Sequence, residues 1–594
     1  MTDYRAPLAE MRFALEEVAG LGEVARLPGC QEASGELVMA LLEQAGRLAS
    51  ETIAPLNAVG DREKARLENG VVRMPSGFPQ AYARFVEGGW NAVPFDPAHG
   101  GGGLPWLVAA ALQEIWQSCG LAFGLCPLLT QGGTELLETC GTAEQKRRYL
   151  PKLVSGEWTA TMNITEPQAG SDIGAARTRA TREDGHYRIS GQKIFITYGD
   201  HDMAENVIHF VIARTPEAPA GSRGLSLFLV PKYLPDDDGK PGRRNDLRVL
   251  KLEEKLGIHA SPTCVMSYGE DGGAIGFLVG EENRGLEQMF TMMNSARLAV
   301  GLQGFAVAER AYQQARVYAR ERRQGKAVDA PEGESSAIID HPDVKRMLAT
   351  MKASTEAMRA LIYRAYAELD LARRHPDEEA RARHEARVQL LTPVVKAWCS
   401  DLGCEVASLG VQVHGGAGYV EESGAAQHLR DARITPIYEG TNGIQALDLV
   451  SRKLLRDEGE AMAALIAEMH DTVTALRFAD ELWSLAGPLE NAIDDLDDAS
   501  AWLIERGKET FELAAAGATP YLRLCGTVIG GWLLAKSALA AVRREENSAG
   551  DPLLAAKPAT AAFYVENILP QASGLARAAT RGSDALLAMD ADAL

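Results

Sequence analysis

The chain has 594 residues, more than one hydrophobic core organises, so several packed domains are expected. With 46% hydrophobic and 24% charged residues it is neither disordered nor fibrous. Lys and Arg number 61 against 81 Asp and Glu, and the net charge of -20 argues against nucleic acid or an anionic membrane surface as partner.

The eight cysteines form no C-x-x-C pair, so neither a disulfide framework nor a zinc cluster is expected, and no metal. Residues 1–13 have no apolar run, and the most membrane-like stretch, 528–542, carries Lys536 and is too short to span. A cytoplasmic location without membrane insertion follows as the expectation.

Apolar residues recur three and four apart over 36–62, 107–120 and 134–154, predicting amphipathic helices. Between them, the loop 95–106 holds Pro97, Pro105 and four glycines from Gly100, which no helix interior tolerates. Short runs rich in β-branched and aromatic residues follow at 187–190, 193–197, 207–213 and 225–231. Asp184-Gly185 and Ser190-Gly191 read as turns between them. Helical periodicity returns over 285–323, 343–374, 382–410 and 443–456, and four more helical stretches are expected beyond 457, broken near Gly487, Gly517 and Asp551. The expected fold class is α+β, mainly α. An extension (1–35) and an N-terminal helical domain (36–157) precede a middle β-barrel-like domain (158–282), a helical bundle (283–456) and an additional C-terminal helical domain (457–594).

Three motifs carry chemistry. Met162-Asn163-Ile164-Thr165-Glu166-Pro167-Gln168-Ala169-Gly170-Ser171-Asp172 groups hydroxyls and glycine-exposed amides that suit phosphate oxygens and a polar ring edge, or else forms a tight structural turn. Alternation over 193–197 points Phe195 and Thr197 the same way, as support for a flat heterocycle or as an ordinary strand. Tyr438-Glu439-Gly440-Thr441-Asn442 precedes a helix; Asn442 with Gln445 reads as a capping box, leaving Glu439 in the connection, as a functional acid or a solvent-facing one.

In this order and spacing the motifs resemble the acyl-CoA dehydrogenase family over about residues 36–456. Further matches are Leu256-Gly257-Ile258-His259-Ala260-Ser261-Pro262-Thr263, Asn294-Ser295-Ala296-Arg297 and Gln412-Val413-His414-Gly415-Gly416-Ala417-Gly418-Tyr419. The opening residues and extra tail are similar to the family's enlarged branch, which includes 3-methylmercaptopropionyl-CoA dehydrogenases and bacterial fatty acyl-CoA dehydrogenases.

The resemblance implies an FAD, with Met162, Ile164 and Thr165 along its isoalloxazine, Ser171 near the pyrophosphate, Phe195 and Thr197 against the ring, and Thr441 on the same flavin. Arg322, Gln324, Gln412, Gly415 and Gly416 would bind the flavin of a second subunit, in a homodimer or larger oligomer. Ser171, Asn294, Arg297 and Gly440 would meet the acyl-CoA, Arg297 being alternatively an intrahelical ion pair. The implied reaction oxidises a saturated fatty acyl-CoA, medium to long, to the trans-2-enoyl thioester. Glu439 is the base, because Ala296 occupies the family's other base position. Desolvation by bound substrate is expected to raise its pKa, against the helix N-terminus that favours its charge. A 3-methylmercaptopropionyl substrate is the alternative. The implied electron acceptor is an electron-transferring flavoprotein, with oxygen, as in acyl-CoA oxidases, the competing reading. Leu112, Trp116, Phe123 and Leu128 are pocket walls or plain core. A DNA-binding flavoprotein would need a basic tail, but residues 451–594 hold 13 Lys and Arg against 22 Asp and Glu, a net of -9.

Overall fold

The computed structural model describes residues 4–328, 330, 335–545 and 550–593, and the chain divides into two compact units. One comprises Gly46–Leu104 and Ile115–Ala296; the other comprises Met1–Ala45, Pro105–Glu114 and Arg297–Leu594. The architecture is mainly helical, with a β-sheet in the middle of the chain and helices on either side of it in sequence.

In the first unit the eight-stranded sheet runs Leu247–Leu252, Thr263–Tyr268, His186–Thr197, Ala274–Leu278, Ser226–Pro231, Asn206–Ala213 and Trp158–Asn163, with Arg179–Glu183 also paired to His186–Thr197. Among the described strand-to-strand pairings only that of Trp158–Asn163 with Asn206–Ala213 is parallel, apart from a parallel bridge between Arg179 and Arg214. Ile189, Val211, Phe228, Val230, Met266 and Tyr268 are among its buried core residues. Each such side chain contributes about 1.5–3 kcal/mol on burial. The helix Leu121–Cys140 lies on Trp158–Asn163 with Gly133 at the contact, where a Cβ would stand 2.9 Å from the Phe210 ring.

Two of the expected strand runs are one. His186–Thr197 continues through Gly191, where the expected turn is absent; a side chain there would meet Thr178 Oγ1 at 2.7 Å, so glycine serves close approach instead. The expected helix at 134–154 is two helices, Leu121–Cys140 and Ala143–Ser155, separated by Gly141 and a Thr142/Gln145 capping box. The glycine loop is ordered by its own backbone: Gly101 N–H donates to the Asp96 carbonyl and Gly103 N–H to the Phe95 carbonyl.

The second unit contains the long helices Pro342–Arg374 and Glu378–His414, most of Gly285–Glu321, and the short segment Asn442–Asp448. Five further helices follow: Glu460–Arg477, Trp483–Glu509, Phe511–Glu545, Pro552–Asn567 and Gln571–Leu587. Gly487 and Gly517, expected to break helices, lie inside them. Gly517 does so because its bare Cα lets the Ala579 carbonyl approach. Phe511–Glu545 is long and apolar enough to cross a membrane, and 83% of its apolar window is buried within the protein, which accounts for its hydropathy. At the start of the chain, Glu10 pairs with the buried Lys557, and Glu17 with Arg544 at 3.0 Å.

Candidate active site

Glu439 sits in a backbone that few residues adopt. Its φ is 59°, and that of Gly440 is 84°, two consecutive left-handed conformations between the Ala425–Ala432 helix and Asn442–Asp448. For a residue with a Cβ this costs about 1–3 kcal/mol and persists only where the surroundings impose it. Here Asn442 N–H donates to the Pro436 carbonyl at 3.1 Å, and the Tyr438 hydroxyl donates to Gln303. The buried Gln445 amide donates to the Gly440 carbonyl at 3.3 Å and the Glu439 carbonyl at 3.4 Å. Gln445 is thus drawn away from any capping box. The cap is Thr441, one residue earlier than expected, whose Oγ1 accepts from Ile444 N–H at 3.3 Å.

Part of Glu439 reaches the surface, yet protein crowds its carboxyl, and this burial pushes its pKa up to about 7. Arg297 and Lys396 pull the other way. Desolvation therefore dominates from the protein alone, where substrate was expected to be needed. Arg297 is 5% exposed and pairs at 3.8 Å with Asp448, which lies on a different helix. A Cβ at Gly440 would stand 4.0 Å from the Arg297 guanidinium.

Asn442 is held by four groups on the Glu378–His414 helix. Its Oδ1 accepts from Lys396 Nζ at 2.7 Å, and its amide donates to Asp401 at 2.7 Å, to Ser400 Oγ at 3.0 Å and to the Ala397 carbonyl at 3.1 Å. Lys396 is fully buried. Sequence reasoning missed these residues; the one available signal was the spacing of Lys396 with Ser400 and of Ala397 with Asp401, each four apart on the helix.

In the other unit, Met162 is the penultimate residue of the strand Trp158–Asn163 and Ile164 follows its end, and the turn after them is fastened from inside. Glu166 accepts from Lys193 Nζ at 2.8 Å, from Thr178 Oγ1 at 2.6 Å and from Arg177 N–H at 2.7 Å. The pairing with Lys193 holds its carboxyl down at about 2, overcoming burial. Gly170 and Ser171 are exposed, and Thr165 is half-buried with its carbonyl accepting from Ile194 N–H.

Phe195 is 59% exposed with φ 60°, and Thr197 is half-buried. Simple alternation would put Lys193 on their face, but a register shift opposite Cys264 and Met266 turns Lys193 inward. The bulge lets one strand present an aromatic outward and a buried cation inward. A large exposed ring on a strand to which the turn is tied through Lys193 and Glu166, and exposed backbone at Gly170 and Ser171 in that turn, fit a flat aromatic group carrying phosphates.

Arg322, Gln324, Gln412, Gly415 and Gly416 are all exposed, at the ends of Gly285–Glu321 and Glu378–His414. The two ends meet where the Tyr318 and His414 rings stack at 4.4 Å. A Cβ at Gly415 or Gly416 would meet nothing within 4 Å. Asn294 is exposed. Leu112, Trp116, Phe123 and Leu128 are buried, Trp116 and Phe123 in aromatic contact with Phe85. Among the described residues, no group of three or more His, Cys, Asp or Glu side chains is placed to hold a metal.

Family models for the acyl-CoA dehydrogenase N-terminal, middle and C-terminal domains match residues 38–157, 161–270 and 283–455, and an acetyl-CoA dehydrogenase C-terminal-like model matches 465–590. The chain belongs to the acyl-CoA dehydrogenase family. It is an oxidoreductase of that family. It is 47% identical to the 3-methylmercaptopropionyl-CoA dehydrogenase of Ruegeria pomeroyi, over 98% of this chain and 99% of that one. To a broad-specificity linear acyl-CoA dehydrogenase of Mycobacterium tuberculosis it is 33% identical, over 96% of each. The fold is that of an acyl-CoA dehydrogenase from Bacillus anthracis complexed with FAD, at a TM-score of 0.74, 20% identity and coverage of 98% of this chain and 93% of that one.

Proposed function

We propose that this acyl-CoA dehydrogenase removes the α proton of an acyl-CoA thioester with Glu439 and yields the trans-2-enoyl-CoA. The observation that carries the reading is the placement of Glu439: a left-handed, crowded carboxyl whose pKa of about 7 matches a base working near neutral pH. Arg297 and Lys396 favour its ionised form, so a carboxylate is available when substrate arrives. As the α C–H breaks, its proton goes to the carboxylate.

FAD is the cofactor, and when bound it would supply the acceptor for the hydride of the β carbon. Met162, Ile164, Thr165, Ser171, Phe195, Thr197 and Thr441 would hold it, and Arg322, Gln324, Gln412, Gly415 and Gly416 would hold that of a second subunit in a homodimer or larger assembly. Asn294, Arg297, Gly440 and Ser171 would meet the substrate. An electron-transferring flavoprotein is the proposed electron acceptor.

The thioether 3-methylmercaptopropionyl-CoA is the favoured substrate, supported by 47% identity along the whole chain to an enzyme named for it. A straight-chain fatty acyl-CoA, the first expectation from sequence, is the second reading, supported by the 33% identical relative. Steady-state kcat/KM across C4 to C18 thioesters and the thioether tests the choice. A maximum at the thioether supports the first reading, and a maximum at C8 or longer the second.

A further inference from the structure

We propose that Lys396 is a positioning residue of the dehydrogenation, a buried cation whose charge is directed at Glu439 while its hydrogen bond fixes the helix that follows the Glu439 loop. The proposal rests on Glu439 being the base. Lys396 has no exposed surface, and its hydrogen bond among the described residues goes to a neutral amide, Asn442 Oδ1. The carboxylate on its own helix that attracts it, Asp401, takes a hydrogen bond from the same amide. A buried cation without a hydrogen-bonded carboxylate costs stability unless another negative group faces it. Glu439 is that group, the larger of the two attractions that Lys396 feels, ahead of Asp401.

The charges facing this pair come from five elements: Gly285–Glu321, Glu378–His414, Asn442–Asp448, Leu449–Leu454 and Phe511–Glu545. Glu439 faces Arg297 and Lys396. Lys396 faces Glu439, Asp401 and, repulsively, Arg297. Asp401 also faces Arg523 of Phe511–Glu545 and Glu405 of its own helix. Arg297 is shared with Asp448, next to Arg452. Of the two cations facing Glu439, Arg297 has Asp448 as its leading attraction and Lys396 has Glu439, and burial lowers the pKa of Lys396 to about 7, so its charge is present below neutral pH, where Glu439 most needs help to ionise.

Three variants of the flavin-loaded enzyme test this, with Glu439→Gln beside them. Lys396→Met removes charge and hydrogen bond, Lys396→Gln keeps a donor for Asn442, and Lys396→Arg keeps the charge. The acidic limb of kcat/KM against pH should move up by about 1 unit in the Met and Gln variants and stay at or below the wild-type position in the Arg variant. A lower kcat with an unmoved limb in Met and Gln would make the lysine a structural tie only and overturn the proposal. If those two do not fold, Lys396→Arg still decides: an upward limb contradicts the proposal. Thermal unfolding gives a readout free of turnover. A buried lysine whose folded pKa is depressed penalises the folded state below that pKa, so Lys396→Met should gain melting temperature over wild type at pH 6 relative to pH 10. An equal difference at both pH values contradicts a buried charge. Full activity of Glu439→Gln, in contrast, would refute the base assignment itself.

Discussion

Trp398 lies against Gly526 so closely that any side chain at 526 would enter its ring. A Cβ at Gly530, one turn on, would stand 3.0 Å from the same indole. The helix Phe511–Glu545 thus carries a glycine notch for a tryptophan two residues from Lys396. Gly526→Val is expected to cost about 1–3 kcal/mol by overpacking. Gly487→Ala, inside a helix with nothing within 4 Å of the new methyl, is expected to stabilise by about 0.5–1 kcal/mol. Urea unfolding of the two variants measures both signs.

Lys193→Met leaves the Glu166 carboxylate buried without its cation, and the expected loss is about 3–5 kcal/mol. Because the folded pKa of Glu166 is depressed to about 2, its contribution is present above the unfolded value of 4.5 and is lost as pH falls through 2. The destabilisation of the variant, measured by thermal melts, should therefore shrink toward acid pH. The variant should also purify with less flavin, because the loop from Ile164 to Ser171 loses its fastening.

For Glu439 the sign is opposite. Its folded pKa is raised to about 7 from 4.5, so its contribution to stability is fully present below 4.5 and is lost as pH rises through 7. Glu439→Gln should melt above wild type at pH 8 by more than at pH 5. The same titration predicts that wild-type kcat/KM falls about tenfold per unit below pH 7.

Helical periodicity made most of the architecture legible, because long amphipathic stretches repeat one pattern many times, and the three motifs mark residues proposed for cofactor and substrate, Thr165 and Phe195 in one unit and Glu439 in the other. The rest depended on local geometry that alternation does not encode. A bulge turns Lys193 inward beside an outward Phe195, and the charged strand Arg179–Glu183 has no apolar face to announce it. Gly191, Gly487 and Gly517 read as breaks because glycine frees the backbone, whereas here Gly191 and Gly517 admit a close neighbour. Lys396 is invisible to any motif: a lysine on a helix is usually solvated, and only the fold buries this one against the Glu439 loop.

If electrons leave to a flavoprotein and not to oxygen, turnover in air without an added acceptor should produce peroxide at less than about one hundredth of the rate with an electron-transferring flavoprotein, two orders of magnitude being about 2.7 kcal/mol of barrier. A peroxide assay alongside acceptor reduction measures the ratio. Comparable rates would place the chain with the oxidases.

The central claim is that Glu439 takes the α proton. Its most direct test is anaerobic mixing of the flavin-loaded protein with 3-methylmercaptopropionyl-CoA and with straight-chain acyl-CoAs, following loss of flavin absorbance in wild type and Glu439→Gln. Rapid bleaching of wild type, slowed by about 100-fold or more in the variant, is the predicted result. Equal bleaching of both proteins would contradict it.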